Sequence, residues 1–216
     1  MASIVMVIGQ SGTGKSTSLR NFKKGEASVI NVSKKPMPFQ CDLAVANVTT
    51  YNTIKELLKK TASPAIVIDD CTYLLVNEYM SKADERGFDK YTNMAKNFWE
   101  LLNFCINELP DEKIVYLLGH TEKGEDGREH FKTVGKMLDN TVVCEGYCTV
   151  VLKTVVEDGK YYFATHNNGY DTVKTPMGMF EVDRIDNDLK AVDLRMREYF
   201  KLIPKVTKET KKEGDK

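Results

Sequence analysis

Charge of one sign is missing from this chain in bulk, because Lys+Arg and Asp+Glu both number 31. Any contact with nucleic acid therefore has to come from local basic patches and not from the net field. Long apolar runs are missing as well. Ile4–Ile8 and Ala65–Ile68 are among the longest, far short of the roughly 20 residues that cross a bilayer, and the N-terminus carries no charged-then-apolar export signal. The expectation is a cytoplasmic protein with no membrane partner. Cysteine occurs at 41, 71, 105, 144 and 148, odd in number and without a CxxC pair, which fits buried reduced thiols better than a disulfide framework and speaks against a zinc site.

What is present suffices for a folded core: 42% hydrophobic and 29% charged residues over 216 positions fit one sizeable domain. The expected division is one domain over 1–203 and a basic tail over 204–216, whose lysines and acids with almost no apolar content predict disorder. Ser3–Ile8 reads as a buried strand cut off by Gly9, and Lys15–Lys24 as the helix that follows. Val29–Val32, Leu43–Val48, Ala65–Ile68 and Ile114–Leu118 read as further strands. Thr50–Lys60 and Asp89–Leu109 carry apolar residues at helical spacing, and Pro64 and Pro110 follow them.

Continuous apolar strands alternating with helices predict an α/β fold with a mainly parallel central sheet covered on both faces. Thr149–Val156 and Lys160–Thr165 flank Glu157-Asp158-Gly159, a hairpin signal that predicts antiparallel strands at the C-terminal edge. Asn187–Phe200 predicts a last helix. Trp99 and the Tyr161-Tyr162-Phe163 run are expected to pack in the core.

The strongest chemical signal is Gly9-Gln10-Ser11-Gly12-Thr13-Gly14-Lys15-Ser16, which matches G-x-x-x-x-G-K-[ST] between a strand and an expected helix, with Thr17 next. Glycines let such a loop curl around a β-phosphate, and the helix N-terminus adds its dipole. Lys15 would reach the β- and γ-phosphates, and the Ser16 hydroxyl would ligate Mg²⁺. Asp69, at the end of the strand Ala65–Ile68, is the expected carboxylate behind the Mg²⁺ of ATP. Asp70 is the candidate for orienting the attacking water, and His120, at the tip of the strand Ile114–Leu118, the candidate sensor of the γ-phosphate. The guanine-reading pattern N/T-K-x-D is absent.

With these motifs placed, the chain resembles a small family of phage-encoded, RecA-like P-loop ATPases linked to phage recombination and single-strand annealing. The resemblance is carried by Gly9–Thr17, Ile66–Asp70, Leu117–Thr121 and the stretch from Lys136-Met137-Leu138-Asp139 to Asn187-Asp188-Leu189. It implies a three-layer core that hydrolyses ATP with Mg²⁺ and assembles as a homo-oligomer. It also implies action on single-stranded DNA beside a single-strand-binding protein, in the host cytoplasm. RecA-type proteins carry a catalytic Glu after the strand that follows the loop, whereas Asn31–Phe39 has Lys34 and Lys35 and no acid. A neighbouring protomer of such an assembly commonly adds a cation to the site, and Lys174 is the candidate here, with Lys153 and Arg184 behind it. Arg20, Lys23, Lys24, Lys34 and Lys35 form a basic run that would follow a DNA backbone or coat a solvated surface. Two other functions use the same loop: a nucleoside or nucleotide kinase, for which no Arg-rich lid is visible, and a non-catalytic ATP-dependent interaction module.

Overall fold

The computed structural model describes residues 2–135 and 138–202. The tail expected over 204–216 and the Lys136-Met137 pair lie outside them. In chain order the strands are β1 (Ser3–Ile8), β2 (Ala27–Asn31), β3 (Ala44–Asn47), β4 (Ala65–Asp69), β5 (Ile114–Gly119), β6 (Thr121–Lys123), β7 (Glu129–Phe131), β8 (Val150–Glu157), β9 (Lys160–Ala164) and β10 (Arg184–Asp186). The helices are α1 (Tyr51–Lys60), α2 (Thr72–Ser81), α3 (Asp89–Glu108) and α4 (Leu189–Tyr199).

Eight strands form one sheet in the order β10-β9-β8-β1-β5-β4-β2-β3, with β6 and β7 as a separate hairpin. From β8 across to β3 every pairing is parallel, whereas β9 and β10 add to β8 antiparallel. Asp158 and Gly159 both take positive φ (51° and 73°), the geometry of a two-residue primed turn, so the expected hairpin forms with its right-handed strand twist intact.

Both faces of the sheet are covered, which explains why β1, β4 and β5 read as unbroken apolar runs. Along β1, Ile4, Met6 and Ile8 pack with Ile54, Leu58, Leu75, Phe98 and Leu102 of α1–α3. Val5 and Val7 face the other way, toward Leu19, Phe22 and the α4 residues Leu189, Val192 and Met196. Helices thus lie on both sides of the sheet, an arrangement compatible with three layers. α4 is fixed by more than apolar contact. The buried Tyr116 hydroxyl donates to Asp193 Oδ1 at 2.8 Å, and Arg197 clamps the same carboxylate at 2.8 and 3.1 Å. Asp188 caps the helix by accepting from the N–H groups of Lys190 and Ala191.

Three expectations need correction. Lys15–Lys24 is not a helix beyond a single 3₁₀ turn, Ser16–Leu19. Ser16, Thr17 and Ser18 favour side-chain bonds to the local backbone over helix, and Ser18 Oγ donates to Lys15 O at 2.6 Å. Arg20 and Asn21 are then pulled onto the start of α4, donating to Asn187 O and Asp188 Oδ2. Trp99 is not core: it is 39% exposed and donates its indole N–H to the Tyr147 hydroxyl at 2.8 Å. Of the aromatic run on β9, Phe163 is buried but Tyr161 is 47% exposed.

The neighbours Phe98 and Trp99 separate burial from helix position. Phe98 is fully buried and stacks on Phe131 with centroids 5.8 Å apart. Phe98→Ala is expected to cost about 3–5 kcal/mol of stability, and Trp99→Ala no more than about 1 kcal/mol, by urea unfolding. Equal costs would contradict this placement of α3.

Candidate functional site

Parallel pairing brings the informative residues to one edge of the sheet. Ile8 pairs in register with Gly119 and Lys153, Ile68 with Leu117, and Asn31 with Asp69. The carboxyl ends of β1, β2, β4 and β5 therefore come together, beside Lys153 midway along β8, and the carboxyl ends of strands are where open α/β sheets bind ligands. The loop Gly9–Ser16 leaves β1 at this edge.

That loop is held from two sides. Gln10 Nε2 donates to Thr121 Oγ1 at 2.9 Å, and Thr13 Oγ1 lies 2.6 Å from Thr154 Oγ1 of β8. The second contact explains Gly9, since a Cβ there would sit 1.8 Å from Thr154 Oγ1. Gly14 has φ +93°, and a Cβ would also press on the Tyr161 ring at 3.0 Å, so only glycine suits both the backbone and the space.

Lys15 is 6% exposed. Its ammonium donates to the carbonyls of Gly9 and Gln10 at 2.9 and 2.8 Å. Burial lowers its pKa, against the opposing pull of Asp70 and Asp69. Ser16 Oγ donates to Asp69 Oδ1 at 2.9 Å, which joins the two expected metal ligands directly. Asp69 is 4% exposed. Burial, and then the charge of Asp70, push its carboxyl up to about 6.

Asp70 takes a left-handed φ of 58°, tolerated by Asp more readily than by most residues. Its carboxylate lies 3.5 Å from His120 Nε2. Burial would raise its pKa, but hydrogen bonds from His120 and Ser33 and the charges of His120 and Lys15 outweigh burial and leave it lowered. His120 itself is positioned by its N–H, which donates to Thr72 Oγ1 at 2.9 Å, and by the edge of the Tyr73 ring. The two adjacent acids thus shift in opposite directions: one toward neutrality beside a hydroxyl donor, the other toward charge beside an imidazole.

A cleft of about 400 Å³ runs over this constellation, lined by Ser11, Gly12, Gly14 to Thr17, Asp70 and His120. Lys35, Pro38, Tyr73 and Tyr161 line it too, and none of these four was expected at the site. Lys35 had one signal, a lysine in the stretch where the RecA-type proteins that the sequence resembles carry an acid. Tyr161 had only its place just past a tight turn. Lys174 does not reach this cleft: it is exposed, its main chain bonded both ways to Val151. Lys153 is engaged by Asp171 and Glu129 at 2.7 and 3.2 Å, and Arg184 by Glu157. A second cleft, of about 600 Å³, is lined by Glu122, Glu125, Asp126 and Glu145, and this acidic wall would repel a phosphate.

No protein-family model matches the chain, and no curated protein is significantly similar to it. Function is therefore legible only in the loop, the sheet edge and the two acids.

The Asp69 shift has a pH consequence. Its folded value, about 6, lies above the ordinary 3.8, so the neutral carboxyl is the form that favours the fold. That contribution is fully present below about pH 4 and is lost as pH rises through about 6. In metal-free buffer, Asp69→Asn is expected to gain stability relative to the parent between about pH 4.5 and pH 7.5, read by thermal unfolding. A stability difference that does not change across that interval would contradict the burial argument.

Proposed function

We propose that this chain is a P-loop NTPase of RecA-like type that binds ATP with Mg²⁺ and hydrolyses it. The observation that carries the reading is the bond from Ser16, in the loop after β1, to Asp69, at the end of β4. β5 lies between those two strands, the order associated with RecA- and AAA-type ATPases, whereas kinases and GTPases usually place them side by side.

The residues fit the ligands. Lys15 is a buried cation whose hydrogen-bond acceptors are carbonyls of its own loop, so an entering phosphate offers it a stronger, charge-assisted partner. Ser16 and Asp69 suit Mg²⁺, which takes few protein ligands, keeps several waters and, when bound, would neutralise charge on the phosphates. Because only one helical turn follows the loop, the dipole contributes little, and Lys15 with the loop backbone carries the anion.

In hydrolysis a water oxygen attacks the γ-phosphorus and the bond to the β–γ bridging oxygen breaks. ADP leaves with the electron pair, phosphate forms, and the water's proton is released. In this reading Asp70 and His120, both in the wall of the cleft, face the γ-phosphate. The lowered pKa of Asp70 makes it a weak base, so it orients the water more than it abstracts a proton, and turnover is expected to be slow. Action on single-stranded DNA as a homo-oligomer, beside a single-strand-binding protein, is part of the proposal and rests on the resemblance. Of the basic run, Lys23, Lys24 and Lys34 are exposed and accessible to a backbone, while Arg20 is engaged with Asn187.

Lys15→Ala is expected to lower MgATP affinity by roughly 100-fold or more, since it removes the cation that meets two phosphates. Asp69→Asn should reduce Mg²⁺-dependent turnover far more than metal-free nucleotide binding. Turnover measured with and without single-stranded DNA, and with a panel of nucleosides as acceptors, tests the reaction type. Transfer of phosphate to a nucleoside would overturn the ATPase reading, and unchanged affinity in folded Lys15→Ala would overturn the phosphate site.

A further inference from the structure

We infer that Lys35 is a second cation for the triphosphate, supplied by the same chain to meet the charge of the terminal phosphate. The inference rests on the phosphate-site reading above. Lys35 lines the same cleft as Lys15, Ser16, Asp70 and His120, and its ammonium stands over Tyr73, whose ring meets His120, which sets it on the Asp70–His120 side of the cleft.

Its placement is built. Asn31, buried at the end of β2, donates from Nδ2 to Lys35 O at 2.7 Å and accepts at Oδ1 from the Lys34 N–H at 3.0 Å. Lys34 takes a left-handed φ of 58°, which turns the chain back at the strand end. Because Asn31 pairs in register with Asp69, this turn is fastened one strand away from the metal carboxylate.

The ammonium is oriented without being neutralised. Lys35 Nζ stands 5.5 Å from the centroid of the Tyr73 ring, and that ring meets His120 edge-on at 5.7 Å. An aromatic face attracts a cation but leaves its charge available. Among the described residues Lys35 has no carboxylate within ion-pair distance, in contrast to Lys153, which has two. A cation held over an aromatic platform beside Asp70 and His120 is disposed to bind the oxygens that ATP has and ADP lacks. It does within one chain what a neighbouring protomer's lysine or arginine does in other P-loop enzymes.

The test compares ADP with AMP-PNP, a non-hydrolysable ATP analogue, both with Mg²⁺, by titration calorimetry on the full chain. Lys35→Ala is expected to weaken AMP-PNP binding about 10- to 100-fold, as loss of a charge-assisted bond does, and to leave ADP within about twofold. Lys35→Arg should restore part of the loss. Lys34→Gln, which removes the same charge from the adjacent exposed residue, should change neither. Equal losses for both nucleotides, or the same loss in Lys34→Gln, would reduce Lys35 to general attraction and overturn the inference. Parent-like binding of both probes by Lys35→Ala, with Lys15→Ala losing both, would remove the Lys35 role and leave the phosphate site standing. Absence of binding in the parent, unaffected by Lys15→Ala, would overturn the phosphate-site reading itself.

Discussion

A buried ammonium at the end of the central strand is the constraint on which the site depends. Lys15 is taken out of water, and backbone carbonyls of its own loop accept its hydrogen bonds, a position that burial alone makes unfavourable for a charge. Two acids at the end of β4 offset part of that cost. They do so only because β1 and β4 both pair with β5 in parallel and finish at the same edge. The sheet order, the packing of Gly9 against Thr154 and the Ser16–Asp69 bond together hold that charge in the wall of the cleft.

The two acids show how one strand end produces two chemistries. Burial and the neighbouring charge of Asp70 raise the Asp69 carboxyl to about 6, so a cation arriving at Ser16 and Asp69 would favour the ionised carboxylate and gain a ligand. Asp70 is turned by its left-handed backbone toward His120 and is held charged. Adjacent residues thereby hold their carboxyl groups at different charge propensities, the division that the proposed roles in metal binding and water orientation require.

Much of this was legible in the residues themselves. The glycine pattern with Lys15 and Ser16 marks a loop by chemistry, and the apolar run ending in Asp69 marks a doubly covered strand, so both are readable without neighbours. The turn Asp158-Gly159 is equally local. What escaped depends on tertiary context. α2 was not foreseen, because Thr72-Tyr73-Leu74-Leu75 is apolar and aromatic without a clean period, and it becomes helix where Leu74 and Leu75 meet the core. The segment after Lys15 looked helical in composition but was overruled by hydroxyl side chains and by the anchoring of Arg20 and Asn21 to the start of α4. Tyr161 and Lys35 reach the cleft through a hairpin and a strand-end turn, contacts that no local spacing encodes.

Binding of a nucleotide in this loop requires Lys15 to leave its own carbonyls for a phosphate. A crystal structure with AMP-PNP and Mg²⁺ tests it most directly. The ammonium is expected to give up the Gly9 and Gln10 carbonyls for β- and γ-phosphate oxygens, and the direct bond from Ser16 to Asp69 to open and admit the metal. A nucleotide bound elsewhere, with Lys15 still on the two carbonyls and the Ser16–Asp69 bond intact, would contradict it.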